Sequence, residues 1–173
     1  TFADQMSLID VLKTHHKDAS SPHPTLGVCY DDVVGAQATK FCSFAYNGNF
    51  FELVGSLDAL VSANPKYEDE YFWFDMLVNN QWVALDHDFD WWASTFRTAV
   101  KKIGHLVLIC SPWSDPEPLK RAWCLWEIFC AIESGGKFDV ALGPQQHADF
   151  VKTITKSGDS YYKMLSTIDV EKS

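Results

Sequence analysis

His105-Leu106-Val107-Leu108-Ile109-Cys110 is a strand-length run, apolar after its first residue. A run without polar alternation marks a strand covered on both faces, the habit of parallel sheets. Before it, Trp92, Phe96, Ala99/Val100 and Ile103 recur at helical spacing, and Gly104 closes that helix. After it comes a turn-rich loop, Ser111-Pro112-Trp113-Ser114-Asp115-Pro116-Glu117-Pro118. A tryptophan-rich segment follows, predicted to be helical from about Pro118 to Ser134 and ended by Gly135-Gly136. Phe138 to Leu142 then reads as another strand.

The same alternation extends outward. Lys40 to Tyr46 is a predicted strand ended by Asn47-Gly48-Asn49, and Phe50, Leu53/Val54, Leu57 and Leu60/Val61 mark a helix stopped at Asn64-Pro65. Tyr71 to Val78 reads as a buried strand by its aromatic content. Gln146 to Thr155 gives a weaker helix, and Tyr161 to Val170 a last strand or helix. Upstream, Met6 to Lys17 has the spacing of a short helix, broken by Ser20-Ser21-Pro22-His23-Pro24. Residues 1–38 are taken as an N-terminal extension and 39–173 as one domain. Strands alternating with helices imply βαβ units. The expected fold is α/β: a flavodoxin-like open parallel sheet of four to five strands with helices on both faces.

Bulk properties narrow the function. The chain has 173 residues and 47% apolar content, enough for one domain with a core. Its net charge of -9 argues against a nucleic-acid partner, whose phosphates need Lys and Arg. Five cysteines, with no CxxC pair, fit buried free thiols in a reducing cytoplasm better than a disulfide framework. There is no signal peptide and no apolar stretch long enough to cross a membrane. Thr1 leads to the expectation of a fragment from a longer protein.

Arg121-Ala122-Trp123-Cys124-Leu125-Trp126-Glu127-Ile128 carries the chemistry. Turned at 100° per residue, Leu125, Ile128, Phe129 and Ile132 share one side, and Glu127 falls between Trp123 and Ala131 with no basic residue one turn away. A helix apolar nearly all round is expected to be buried. Burial raises a carboxylate's pKa and marks a candidate functional group. A structural role, capping a neighbouring helix or accepting from a buried indole, is the alternative.

Trp123-Cys124-Leu125-Trp126-Glu127-Ile128 resembles the Trp-Cys-x-x-Glu-Leu/Ile signature of TIR domains. In the enzymatic members of that family this Glu is the catalytic residue of an NAD-cleaving site. The resemblance covers about Thr39 to Leu142. Phe41-Cys42-Ser43 matches a first strand ending in a hydroxyl residue, Phe74-Asp75 a second strand carrying Asp, and Ser111 with Trp113 a third strand and its aromatic loop. The tryptophan-rich segments also look like a TIR-like group adjoining helical repeats in larger eukaryotic proteins. The chain departs from the family at Asn79 to Asp88, which lacks the usual basic residue and Pro-Gly turn, and at Arg121, where a Ser is usual.

The resemblance implies a cytoplasmic signalling or defence module that hydrolyses NAD⁺ as substrate, needs no cofactor or metal, and self-associates through TIR-like surfaces. Glu127 would be catalytic. Ser43, Phe44, Ala45, Tyr46, Asp75, Ser111, Trp113 and Trp123 would bind substrate, with the aromatic residues stacking and the serines meeting ribose or phosphate. Arg97 and Arg121 could reach the diphosphate, and Trp91-Trp92 would pack a helix on the sheet. A non-catalytic interaction module and a nucleoside glycosidase or transferase on a similar fold are the alternatives. His15-His16 and the Asp86 to Asp90 run lack the spacing of zinc or EF-hand sites. P-loop, GxGxxG and Gly-x-Ser-x-Gly motifs are absent.

Overall fold

Apolar runs become strands because only a sheet covered on both sides removes them from water. In the computed structural model, which describes residues 37–75, 88–166 and 168, β1 is Lys40–Ser43 and every residue of it is buried. α1 (Phe50–Ala63) follows, begun by Asn49, whose side chain accepts from the Phe51 amide. β2 (Phe72–Trp73) is short. α2 (Phe89–Ile103) starts at an Asp88 cap and ends at Gly104, whose φ of 70° suits a residue without Cβ. β3 (His105–Ile109) is buried throughout. α3 (Ala122–Glu133), β4 (Lys137–Ala141), α4 (Pro144–Lys156) and α5 (Asp159–Leu165) complete the described elements.

The four strands are parallel, in the order β2-β1-β3-β4. This is the open α/β sheet expected from the alternation of strands and helices. Alternate residues of each strand build two cores. Phe41, Leu106 and Leu108 meet Phe96 and Val100 of α2 and Cys130 and Ala131 of α3. Cys42, Phe44, Val107 and Ile109 meet Leu53 of α1. Helices therefore cover both faces. The order reverses between β1 and β3, and at such a switch point the chains leaving two neighbouring strands diverge and open a crevice.

Several expectations are corrected. The helix predicted from Pro118 begins at Ala122. Glu117–Lys120 is a 3-10 turn, and Arg121 is extended at φ -115° and ψ 125°. The extended backbone at Arg121 is what separates that turn from the helix. Nor is α3 buried all round. Its buried face is Cys124, Glu127, Cys130 and Ala131, while Phe129 and Ile132 are exposed. Small residues let the helix lie close to the sheet and send the large ones to its flank. Lys40 and His105, at the strand starts, are buried polar residues. The second strand is two residues long where eight were expected; residues 76–78 lie outside the described range. The tail forms α5, a helix. The N-terminal helix at Met6 to Lys17, the extension to residue 36 and Asn79 to His87 also lie outside it. Among the described residues no helix is long and apolar enough to cross a membrane.

Candidate active site

Glu127 is 6% exposed, on the face of α3 that meets the sheet. It stands five residues into the helix, about 7 Å along the axis at 1.5 Å per residue, closer to its start than a helix from Pro118 would place it. Its neighbours are polar but do not neutralise it. Burial pushes its pKa from 4.5 up to about 8; Asp75 adds to the rise, while Ser43 and the Arg121 charge oppose it. The Ser43 hydroxyl is buried without a hydrogen bond of good geometry, yet it lies near enough to favour the ionised carboxylate. Arg121 was not foreseen as a neighbour, being six positions away along the chain. The extended backbone there is what separates it from the helix.

The indoles of Trp126 and Trp113 find their partners elsewhere. The Trp126 indole N–H donates to Ala93 O at 3.1 Å, and that of Trp113 to Asp149 Oδ2 at 2.8 Å. Neither indole serves Glu127. The Cys124 thiol donates to Phe44 O at 3.4 Å, and burial, aided by the Glu127 charge, raises its pKa to about 12. At neutral pH it is a protonated packing group and not a nucleophile.

A cavity of about 330 Å³ opens at the carboxyl ends of β1 and β3, the switch point of the sheet. Phe44, Ala45 and Tyr46 line it from β1, Phe50 and Glu52 from α1, and Ser111, Pro112 and Glu117 from the loop after β3. Tyr46 belongs to both places. It lines the cavity, and it is close enough to Glu127 to feel its charge. Its hydroxyl donates to Asp75, and the Arg121 guanidinium lies 5.0 Å from the centre of its ring. Burial and the Asp75 carboxylate hold the Tyr46 phenol well above its ordinary range.

The residues predicted for the site thus divide. Ser43 and Asp75 lie around Glu127, Phe44, Ala45 and Ser111 lie in the cavity, and Tyr46 joins the two groups. Trp113 does neither. It is 5% exposed, its amide donates to Gln146 Oε1 at 2.9 Å, and its ring meets Phe150 of α4 edge-on. It pins the loop to α4 and leaves no face for stacking. Trp123 packs against Phe89 and Phe96 of α2 in the core. Arg97 pairs with Glu133 and lies by Trp126 on the outer side of α2 and α3, away from the cavity. Trp92 packs on Phe96 as expected, whereas Trp91 is 42% exposed. Cys42, Cys110, Cys124 and Cys130 are buried free thiols.

No protein-family model, curated protein or solved structure gives a significant match to the chain.

Proposed function

We propose that this chain is a TIR-like NAD⁺ hydrolase that cleaves the nicotinamide–ribose bond, with Glu127 as its essential carboxylate. The observation that carries the reading is a buried acid, with a pKa of about 8, beside the switch-point crevice of an open parallel sheet. The open parallel sheet supports the reading drawn from the Trp-Cys-x-x-Glu resemblance, and α1, α3 and α4 all begin at this edge. Their positive dipole ends favour a ligand carrying phosphates there.

The chemistry asks little of the protein. The pyridinium leaves as neutral nicotinamide, taking the bonding electron pair. The ribose is left with oxocarbenium character, water adds to it, and a proton is released. No general acid is needed. An ionised Glu127 stabilises the developing cation in a site short of water, where one charge counts for most. In the empty site Glu127 is largely protonated at neutral pH. A bound pyridinium favours the carboxylate, because an opposite charge nearby lowers an acid's pKa.

The test is nicotinamide release from NAD⁺ at high protein concentration, comparing wild type with Glu127→Gln. The substitution is expected to lower the rate by about 10²–10³-fold, the scale of losing one preorganised electrostatic group. The wild-type kcat/KM should rise with pH and level off above about 8. Equal release by both proteins removes Glu127 from the mechanism.

One observation favours a second reading, an interaction module without catalysis. Phe89, Phe129 and Ile132 are 67%, 50% and 71% exposed on the outer side of α2 and α3, an apolar flank suited to contact with another protein or a second copy. No release from a folded, concentrated sample would select it. The buried free thiols support a reducing, cytoplasmic setting under either reading.

A further inference from the structure

The cavity at the switch point has an unusual balance of charge for a site meant to hold a dinucleotide. Its lining includes the rings of Phe44, Tyr46 and Phe50 and the carboxylates of Glu52 and Glu117, and it includes no Lys, Arg or His. Glu117 is matched by Lys120 at 3.0 Å, and among the described residues the Glu52 carboxylate has no hydrogen bond or ion pair. Aromatic faces with a carboxylate nearby attract organic cations, and for a diphosphate the lining offers the start of α1 but no cationic side chain. A volume of about 330 Å³ is at the small end for ligand sites and suits one ring and a sugar, not two nucleosides.

The ring of Tyr46 is already used in this way. Arg121 holds its guanidinium 5.0 Å from the ring centre, over a side chain that is 46% exposed at the mouth of the cavity. The Tyr46 hydroxyl is tied to Asp75, which fixes the ring where a flat cation can lie on it. Arg121 is the N-cap of α3: its carbonyl accepts from the Leu125 amide at 3.0 Å, its backbone is extended, and its side chain makes no capping bond. Its side chain can leave the ring without disturbing α3.

We propose that the face of Tyr46 is a cation seat which Arg121 fills in the empty molecule and from which the pyridinium ring of the substrate displaces it. The idea rests on the NAD⁺ reading for the identity of the ring. Once displaced, Arg121 is free to meet the substrate's phosphates, for which the cavity lining has no cationic side chain. Arg121 is therefore a specificity-determining residue with opposite effects on two ligands. It competes with the bare aromatic cation and helps the phosphate-bearing one.

The experiment measures equilibrium binding, without turnover, of three probes: N-methylnicotinamide, a cation; nicotinamide, its neutral counterpart; and NAD⁺, held intact by the Glu127→Gln background. The wild-type site is expected to prefer the cation to nicotinamide by about tenfold, the scale of a partly desolvated cation–π contact. Arg121→Ala should tighten N-methylnicotinamide several-fold and weaken NAD⁺ by about tenfold. Tyr46→Leu should abolish the preference for the cation, and Tyr46→Phe, which keeps the ring, should retain it. Equal binding of cation and neutral ring overturns the proposal, as does an Arg121→Ala variant that moves both ligands in the same direction. Nicotinamide release dependent on Glu127 but without cation preference would sink this inference and leave the hydrolase reading standing. Cation preference without hydrolysis would do the reverse.

Discussion

The two edges of the sheet both bury charge, and they treat it in opposite ways. At the amino edge, Lys40 is 2% exposed and its ammonium meets Glu70 at 3.1 Å and the Tyr67 ring at 4.4 Å. Asp139 accepts from the Tyr67 hydroxyl at 2.8 Å and pairs with His105 Nε2 at 2.8 Å. Burial works to raise the Asp139 pKa, yet these bonds and the nearby positive charge hold it below its ordinary value. Hydrogen bonds from Thr39 and Lys40 do the same for Glu70. At the carboxyl edge Glu127 is buried more deeply than Asp139 or Glu70, has Asp75 nearby, and gains only Ser43 and the Arg121 charge in return. Its pKa rises instead of falling. This contrast in how charge is met is what singles out Glu127 as the candidate group of the proposed site.

Stability measurements can break this comparison. The largest effect is expected at the amino edge. Asp139→Ala removes the acceptor of two bonds and strands a part-buried tyrosine hydroxyl and His105, so urea denaturation should show a loss of about 2–4 kcal/mol. A loss under 0.5 kcal/mol would mean the pairing is incidental.

The next effect has the opposite sign and lies at the carboxyl edge. Glu127 has a folded pKa near 8 against an ordinary 4.5, so the folded state binds more protons than the unfolded state between those values. Stability is then full below about 4.5 and falls as pH rises through about 8, at up to about 1.4 kcal/mol per pH unit. Glu127→Gln cannot ionise and should escape that loss. Its advantage over wild type in thermal unfolding is expected to be small at pH 5 and to grow by about 3 kcal/mol by pH 8. An advantage independent of pH would refute the raised pKa.

The smallest effect sharpens the boundary of the site. Trp113→Phe keeps the ring packing on Phe150 and loses the bond to Asp149, which should cost about 1 kcal/mol. Probe binding in the cavity should stay within twofold of wild type. A larger change would return Trp113 to the ligand's surroundings.

Sequence alone exposed the parts of this molecule that obey local rules. The apolar run of β3, the Gly104 cap and the alternation of helix and strand follow from burial and backbone preference, and they lead to the observed sheet. Glu127 stood out because a carboxylate among Trp, Cys and Ile breaks the pattern. The errors came where packing chose between options of equal local merit. Helical spacing put Leu125, Ile128, Phe129 and Ile132 on one side of a helix expected to be buried nearly all round, but Phe129 and Ile132 are exposed, while Cys130 and Ala131 are small enough to sit on the sheet. The Trp113 loop read as exposed because its turn residues say nothing about Asp149, far along the chain. The amino-edge network was invisible for the same reason, since Lys40, Tyr67, His105 and Asp139 meet only through the register of β1, β3 and β4. Arg121 was readable as a charge, but its place over Tyr46 depends on a break between a 3-10 turn and a helix.

The parallel sheet also sets how the molecule must come together in time. Lys40 pairs with Phe72, Phe41 with Leu106 and His105 with Lys137, so among the described strands no two neighbours are joined by a hairpin. The first backbone bond of the sheet cannot form by a short closure. The chain must first bring together ends separated by a whole crossover, with the entropy of that loop already lost. Helices can form early and locally, while the β1–β3 seam under the cavity spans the longest interval of all and belongs late in folding, in the slower class of non-local topologies.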